Sequence, residues 1–237
     1  MREDEHEIER YVDLMARAGA RRAAPSEAAT FMHLTDEDRA FARRFLEDGS
    51  GSTARTIVGF QPGTSPAMRW KQWPIERYRE VIERVVAETP DSQIVLFGSA
   101  PEAGMIREMA SGLKGRILFA AGQTSVKQAA ALIEQCDLLV CNDSGLMHAA
   151  VAVGTPVAAI YGPTDFRRTA PLGDRHTVIR HELPCSPCFK LEGDDQVHAC
   201  PHHDCLMTIT PQEVWDAIAK VREEGLRSAN RARHRAS

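Results

Sequence analysis

A short polar turn between two apolar runs contains the residue types with the clearest chemistry. Asp143 to Gly145 follow the apolar run 137–141 and open a helix of small residues, predicted over 146–153. A second strand is predicted over 157–161. Strand, turn, helix and strand in this order predict two parallel strands with a right-handed crossover. The free N–H groups at such a helix N-terminus favour an anion, so the turn is a candidate phosphate site.

A second polar group follows another predicted strand, over 56–60. Thr64, Ser65 and Lys71 lie in the loop that comes after it. Hydroxyls and an ammonium at the carboxyl end of a strand can neutralise a nucleotide leaving group. The alternative is an exposed basic loop in which Trp73 serves as a packing anchor.

Four cysteines are close together in a polar stretch near the end of the chain. Cys185, Cys188, Cys200 and Cys205 have the spacing Cys-x2-Cys-x11-Cys-x4-Cys, with histidines among them. Four thiolates, or three with an imidazole, suit tetrahedral zinc, and Cys-x2-Cys is a common first half of such a site. Unpaired reduced cysteines, an iron–sulfur cluster and disulfides remain alternatives.

The composition is typical of an ordinary globular protein. Of 237 residues, 43% are hydrophobic and 26% charged, and the net charge of -4 gives no nucleic-acid footprint. No apolar run approaches the roughly 20 residues of a membrane span, and the acidic N-terminus does not resemble a secretory signal. We expect a cytoplasmic protein, and peripheral attachment to the inner membrane is compatible with that expectation.

Strands and helices are predicted to alternate along most of the chain. The predicted strands are 56–60, 92–97, 117–119, 137–141, 157–161 and 177–180. The predicted helices are 5–18, 36–46, 74–88, 102–113, 125–136, 146–153 and 211–224. This alternation predicts an α/β fold, with a Rossmann-like parallel sheet and helices on both faces.

Six short motifs resemble glycosyltransferase family 9, the lipopolysaccharide heptosyltransferases of GT-B fold, and they occur in the family's order. They are Gln61 to Ser65, Lys71 to Pro74, Leu96 to Ser99, Gly122 to Thr124, Asn142 to His148, and Tyr161 to Thr164. The resemblance implies the C-terminal, donor-binding half of an enzyme that transfers heptose from ADP-heptose to a lipopolysaccharide core acceptor. It implies no cofactor for catalysis, so zinc at the cysteines would be structural.

The resemblance also implies which residues contact the donor diphosphate. Lys71 is then the cation on the diphosphate, with Thr64 and Ser65 beside it. Ser144 and Gly145 would offer backbone N–H groups from the start of their helix. A helix cap without any ligand is the alternative for this turn.

Further donor contacts are implied around these groups. Asp143 would contact the sugar or orient its loop, and His148 would face the donor one helical turn further on. Thr124 lies where the family holds the base, although a plain helix cap at Thr124 or Ser125 fits equally well. The family also has an acidic residue near this part of the fold, but the spacing differs here, and we assign no role to Glu102.

The resemblance divides the chain into three parts. Residues 1–52 are expected to be a helical remnant of a missing N-terminal acceptor domain, and 53–226 the donor domain with its cysteine-rich loop at 185–205. Residues 227–237 form a basic tail. We expect the acceptor base in the missing domain, so we assign no catalytic residue here and expect no transfer by the chain alone.

The two N-terminal helices are expected to leave an apolar face without a partner, which favours self-association. Its members are Tyr11, Leu14, Met15, Phe41 and Phe45. Two other functions remain as alternatives. One is a non-catalytic nucleotide-binding or zinc-stabilised interaction module, and the other is a nucleotide-sugar epimerase of the same fold.

Overall fold

A parallel β-sheet forms the centre of the computed structural model, which describes residues 5–22, 30–50, 56–189, 200–221 and 223. Its strands are β1 Thr56–Gln61, β2 Ser92–Leu96, β3 Arg116–Phe119, β4 Leu138–Asn142, β5 Val157–Ile160 and β6 Thr177–Ile179. Within these residues the strand order is β3-β2-β1-β4-β5-β6, and neighbouring strands are parallel. The predicted Rossmann-like sheet is therefore confirmed.

The central strands are buried because helices cover both faces of the sheet. Every residue of β2, β4 and β5 is buried, which is typical of parallel strands in α/β proteins. In the middle of the sheet, Val58 of β1 is in register with Ile94 of β2 on one side and with Leu138 of β4 on the other. These apolar residues line one of two core layers.

The helices fall on the two faces of the sheet. The helices are α1 Glu7–Arg17, α2 Asp36–Ser50, α3 Ile75–Glu88, α4 Ala103–Met109, α5 Val126–Glu134, α6 Gly145–Ala152, α7 Phe166–Thr169, α8 Asp204–Met207 and α9, residues 211–221. Buried side chains of α3, α4 and α9 form one core layer, and those of α5 and α6 form the other. Both layers consist mainly of the aliphatic residues from which these helices and strands were predicted.

The second helix packs against the sheet domain, which corrects one of our expectations. Leu34 and Ala42 are buried in the core layer that contains α5, and Phe41 and Phe45 pack against that layer. The guanidinium of Arg39 also forms an ion pair with Glu134 of α5, at 2.8 Å. The phenylalanines that we expected to need an external partner are therefore covered by this chain.

The first helix differs, because none of its residues is buried. Tyr11, Leu14 and Met15 are 64%, 60% and 58% exposed. The helix is held at its start, where Nε2 of His6 hydrogen-bonds to the carbonyl of Ala170 at 3.0 Å. Its apolar face is exposed as expected, whereas self-association stays a prediction.

Some element boundaries differ from those predicted. α2 continues to Ser50, beyond the predicted end at residue 46, and α4 ends at Met109, before the predicted end at residue 113. The short helices α7 and α8 were not predicted, because four residues are too few to show a helical pattern. The basic tail at 227–237 lies outside the described residues. Among the residues that are described, no helix is long and apolar enough to cross a membrane.

Candidate functional site

The candidate site lies where the order of the strands reverses. From β1 the chain continues to β2 and β3 on one side, then returns to β4 on the other side of β1. Loops that diverge at such a point leave a crevice at the carboxyl ends of the strands. A cleft of about 260 Å³ is found there. It is lined by Gln61, Thr64, Ser65, Met68, Lys71, Ser99, Glu102, Asp143, Ser144 and Gly145.

An ion pair spans this cleft. Nζ of Lys71, from the loop after β1, lies 2.8 Å from Oδ2 of Asp143, directly after β4. The two side chains are only 18% and 7% exposed. Removing two charges from water is costly, so such a pair persists where each charge compensates the other. Asp143 therefore holds the ammonium of Lys71 in a fixed place at the cleft.

A buried amide ties the two loops of the cleft together. Oδ1 of Asn142 accepts the backbone N–H of Trp73 at 3.0 Å, and Nδ2 donates to the carbonyls of Pro62 at 3.1 Å and Gly63 at 3.4 Å. The Asn142 side chain is completely buried. Since both ends of the β1 loop contact one side chain of β4, the loop that contains Lys71 is held at both ends.

The start of α6 faces the same cleft. The hydroxyl of Ser144 accepts the backbone N–H of Met147 at 3.4 Å and donates to the amide oxygen of Gln61. The helix N-terminus carries partial positive charge, and its first N–H groups have no partner within the helix. A Cβ added at Gly145 would meet no atom within 4 Å, so the backbone is open to a ligand there.

Glu102 is a cleft residue to which we assigned no role from the sequence. Its Oε2 accepts the backbone N–H of Ser99 at 2.6 Å and also the Ser99 hydroxyl. Its Oε1 is buried, and no described group hydrogen-bonds to it. A Cβ on Gly63 would lie 2.4 Å from this oxygen, so glycine leaves the room that Glu102 needs. The capping box Ser99-x-x-Glu102 was the sequence signal that could have placed the carboxylate here.

The other predicted donor contacts fall in different places. The Thr64 hydroxyl is buried in the cleft and donates to the carbonyl of Met68 at 3.1 Å, and Ser65 lines the exposed rim. Thr124 lies beyond β3 and does not line the cleft, and its hydroxyl donates to the carbonyl of Ala120 at 3.4 Å. Ser125, next to it, caps α5.

His148 is exposed on α6, one turn after Ser144, and does not line the cleft. Nearby protein atoms still remove water from the ring and lower its pKa below the ordinary value. Asp143 opposes this shift, whereas the charges of His6 and Lys71 add to it. The ring therefore lies within electrostatic reach of the ion pair and is neutral at pH values above the ordinary pKa.

The four loop cysteines lie on both sides of residues 190–199. That stretch, which includes His198, lies outside the described residues. Cys185 is exposed, Cys188 and Cys200 are half-buried, and Cys205 is buried. Burial raises the pKa of Cys205 to about 11, and the other three sulfurs add to this shift. Within the described ranges, no group of three or more His, Cys, Asp or Glu side chains is arranged to hold a metal ion. The zinc site stays a prediction.

The two remaining cysteines are core residues. Cys136 and Cys141 are 6% and 0% exposed. Burial raises the pKa of both thiols far above the ordinary value, so neither is a reactive thiolate.

The fold and the cleft define a class of protein, the Rossmann-like α/β domains from which GT-B glycosyltransferases are built. The family model "Glycosyltransferase family 9 (heptosyltransferase)" matches residues 1–196. The chain belongs to this family, as the six sequence motifs indicated.

Curated relatives are lipopolysaccharide heptosyltransferases. The chain is 33% identical over 230 residues to lipopolysaccharide heptosyltransferase 2 of Salmonella typhimurium, which covers 92% of the chain and 62% of the relative. It is 37% identical over 170 residues to lipooligosaccharide heptosyltransferase 2 of Haemophilus influenzae, covering 69% of the chain and 46% of the relative. The chain therefore spans about half to three-fifths of the length of these relatives.

Solved structures show the same fold. The E. coli ADP-heptose lipopolysaccharide heptosyltransferase II superposes with a TM-score of 0.66 at 30% identity, covering 85% of this chain and 56% of that one. A family 9 glycosyltransferase from Veillonella parvula superposes with a TM-score of 0.75, covering 94% of this chain and 62% of that one. Its 23% identity supports the fold alone.

Proposed function

We propose that this chain binds ADP-heptose in the cleft between β1 and β4 and supplies the donor-binding part of a heptosyltransferase. The acceptor of the complete enzyme would be the lipopolysaccharide core. The observation that carries the proposal is the Lys71–Asp143 pair opposite the N-terminus of α6. The similar E. coli structure is that of an ADP-heptose enzyme, which supports the choice of donor.

The geometry suits a diphosphate leaving group. During transfer, the acceptor oxygen bonds to the anomeric carbon while the bond from that carbon to the diphosphate oxygen breaks. Negative charge then accumulates on the departing ADP, and the acceptor proton passes to a base. Lys71 and the first N–H groups of α6 approach the cleft from different loops, so both can stabilise that charge. We assign the acceptor base to no residue of this chain.

The remaining groups of the cleft suit the ribose. A ribose hydroxyl is a hydrogen-bond donor, and the buried Oε1 of Glu102 is an acceptor without a described partner. Acidic residues often hold the ribose in Rossmann-like domains. Thr64 and Ser65 line the same cleft as this carboxylate and Lys71, and they complete a polar wall for the nucleotide.

Calorimetry with the full chain tests the donor. We expect ADP and an ADP-sugar to bind with magnesium removed by chelation, and UDP to bind more weakly. Failure of every nucleoside diphosphate to bind would overturn the proposal. Equal binding of ADP and UDP would retain a diphosphate site but contradict the choice of base.

A further inference from the structure

The first part of the cysteine-rich loop, 185–205, contacts the loop that contains Lys71. The contact is made by two aromatic rings, Phe189 and Trp70. Phe189 directly follows Cys188, and its ring centroid lies 4.5 Å from that of Trp70. Trp70 directly precedes Lys71, whose Nζ lies 5.5 Å from the centroid of the Trp70 ring. We propose that Phe189 is a positioning residue for Lys71, acting through Trp70. This inference rests on the proposed donor site.

The backbone around Phe189 is anchored to the sheet rather than to the loop of Lys71. The backbone N–H groups of Cys188 and Phe189 both donate to the carbonyl of Pro163, at 2.9 and 3.0 Å. The hydroxyl of Ser186 donates to the carbonyl of Gly162 at 2.8 Å. Gly162 and Pro163 follow β5 closely, and β5 pairs with β4. Phe189 is therefore held at the carboxyl edge of the sheet, independently of Trp70.

The loop that carries Lys71 needs lateral support. Residues Pro66–Lys71 form a 3-10 segment, and none of these six described residues is buried. Met68 in its middle has a non-helical conformation, with φ of -121° and ψ of 24°. A tilted ring pair such as Trp70–Phe189 adds a contact near the C-terminal end of this segment, one residue from the ammonium. Loss of the ring would leave the Lys71 ammonium held only by Asp143 and by the two ends of its loop, so its position would be less well fixed.

The second half of the cysteine segment converges on the same place. Leu206, next to Cys205, is 1% exposed. A Cβ added at Gly162 would lie 2.4 Å from Cγ of Leu206, so these residues are in close contact. Both flanks of the segment thus pack on the turn that anchors Phe189. These two flanks support the donor cleft, and their four cysteines are the candidate metal ligands.

A double-mutant cycle on the full chain tests the inference. Phe189→Leu keeps an apolar side chain and removes the ring, and we expect ADP to bind about 2- to 10-fold more weakly, as for the loss of one aromatic pair. In the Lys71→Met background the same change should leave ADP affinity nearly unaltered, because the group that Phe189 positions is gone. Phe189→Tyr should restore wild-type affinity.

Phe166→Leu is the matched control, since Phe166 is a half-buried phenylalanine that contacts Arg180 instead of the cleft. It should leave ADP affinity unchanged. Two results would overturn the positioning role and leave the proposed function intact. One is that the wild-type chain binds ADP and Phe189→Leu does not change the affinity. The other is that Phe189→Leu lowers the ADP affinity equally with Lys71 and with Met at position 71. Absence of ADP binding by the wild-type chain would overturn the proposed function and this inference with it.

Discussion

The ammonium of Lys71 lies 2.8 Å from Oδ2 of Asp143, although 72 residues separate the two along the chain. The pair joins the loop after β1 to the loop after β4, on either side of the strand-order reversal. Because the pair is largely buried, the position of each charge depends on the other. A ligand diphosphate would therefore meet a cation that is already in place.

We predict that Lys71→Met weakens ADP binding by about 10- to 100-fold, because a hydrogen bond to a charged group contributes about 1.5–3 kcal/mol. Calorimetry at constant salt measures the affinity. Lys114→Met, at an exposed lysine beyond α4, is the matched control and should leave affinity unchanged. ADP affinity that is unaltered by both Lys71→Met and Asp143→Ala would show that the nucleotide binds elsewhere.

We predict that Glu102→Gln weakens binding of ADP more than binding of 2′-deoxy-ADP. Oε1 of Glu102, which has no described partner, would accept a hydrogen bond from a ribose hydroxyl. The loss of a hydrogen bond to a charged group costs about 1.5–3 kcal/mol. Comparing the two nucleotides with both proteins separates this contact from a general disturbance of the cleft. If Glu102→Gln lowers the affinity for both nucleotides equally, Glu102 serves only to stabilise the turn at Ser99 and does not contact the ribose.

We predict that an ADP-sugar binds more tightly as the pH falls from about 7.5 to about 6. The pKa of His148 lies below its ordinary value of 6.5 in the free protein, mainly through loss of water around the ring. A bound diphosphate favours the imidazolium and raises this pKa, so binding takes up a proton. The gain should be roughly two- to fivefold, less than the tenfold effect of one pKa unit.

The other charged groups near His148 set the control for this pH experiment. His6, Lys71 and Asp143 all act on the ring, so the matched variant is His148→Gln. In that variant, the pH dependence and the proton uptake, measured in buffers of different ionisation enthalpy, should disappear. An ADP-sugar is used because, unlike ADP, its phosphates do not titrate in this range. If the pH dependence of binding persists in His148→Gln, the proton is taken up by another group.

We predict that leucine-to-alanine substitution lowers stability strongly next to α2 and hardly at all in α1. Leu34 is 3% exposed beside α2, whereas Leu14 on α1 is 60% exposed. Leu34→Ala should lower the free energy of unfolding by about 2–5 kcal/mol, as for a leucine in a packed core. Leu14→Ala should change it by less than about 0.5 kcal/mol. Equal effects in urea unfolding would mean that α2 does not belong to the core of the sheet domain.

We predict one zinc ion per chain at Cys185, Cys188, Cys200 and Cys205, with a histidine as a possible substitute ligand. Since the pKa of Cys205 is raised to about 11, zinc must displace a proton there, and zinc affinity should increase with pH. Elemental analysis of protein purified without chelator measures the metal. Replacing Cys136 and Cys141 by alanine is the control and should leave the metal content unchanged.

The zinc prediction has a clear contrary result. Protein that contains no metal, has four alkylatable thiols in this segment and melts at an unchanged temperature when zinc is added would contradict it. Iron in place of zinc would retain the site and correct the choice of metal.

The order of strands and helices could be predicted because it depends on local patterns. Apolar runs such as 138–142 and caps such as Ser125 are visible within a few residues. Contacts between distant segments could not be predicted from such patterns. Arg39 of α2, for example, bonds to Glu134 of α5, 95 residues away.

The candidate site divides along the same line. The groups that follow strands directly, such as Asp143 and Ser144, were visible as motifs and meet in one cleft. Glu102 was missed because its spacing differs from that of the family, and the capping box with Ser99 that directs its side chain was not considered. Phe189 was missed because its partner, Trp70, lies more than a hundred residues earlier, and no local pattern records that pairing.

The hydrogen bonds of Asn142 have a consequence for how the chain folds. They join β4 to Pro62, 80 residues away, and the indole of Trp73 bonds to Ile209, 136 residues away. Long loops must close before such contacts form. The cleft is therefore formed only when the whole sheet has folded. A fragment containing β1 to β3 would carry Lys71 without Asp143. A nucleotide bound in the cleft would consequently oppose unfolding of the whole domain, and hydrogen exchange would slow in distant strands as well as at the cleft.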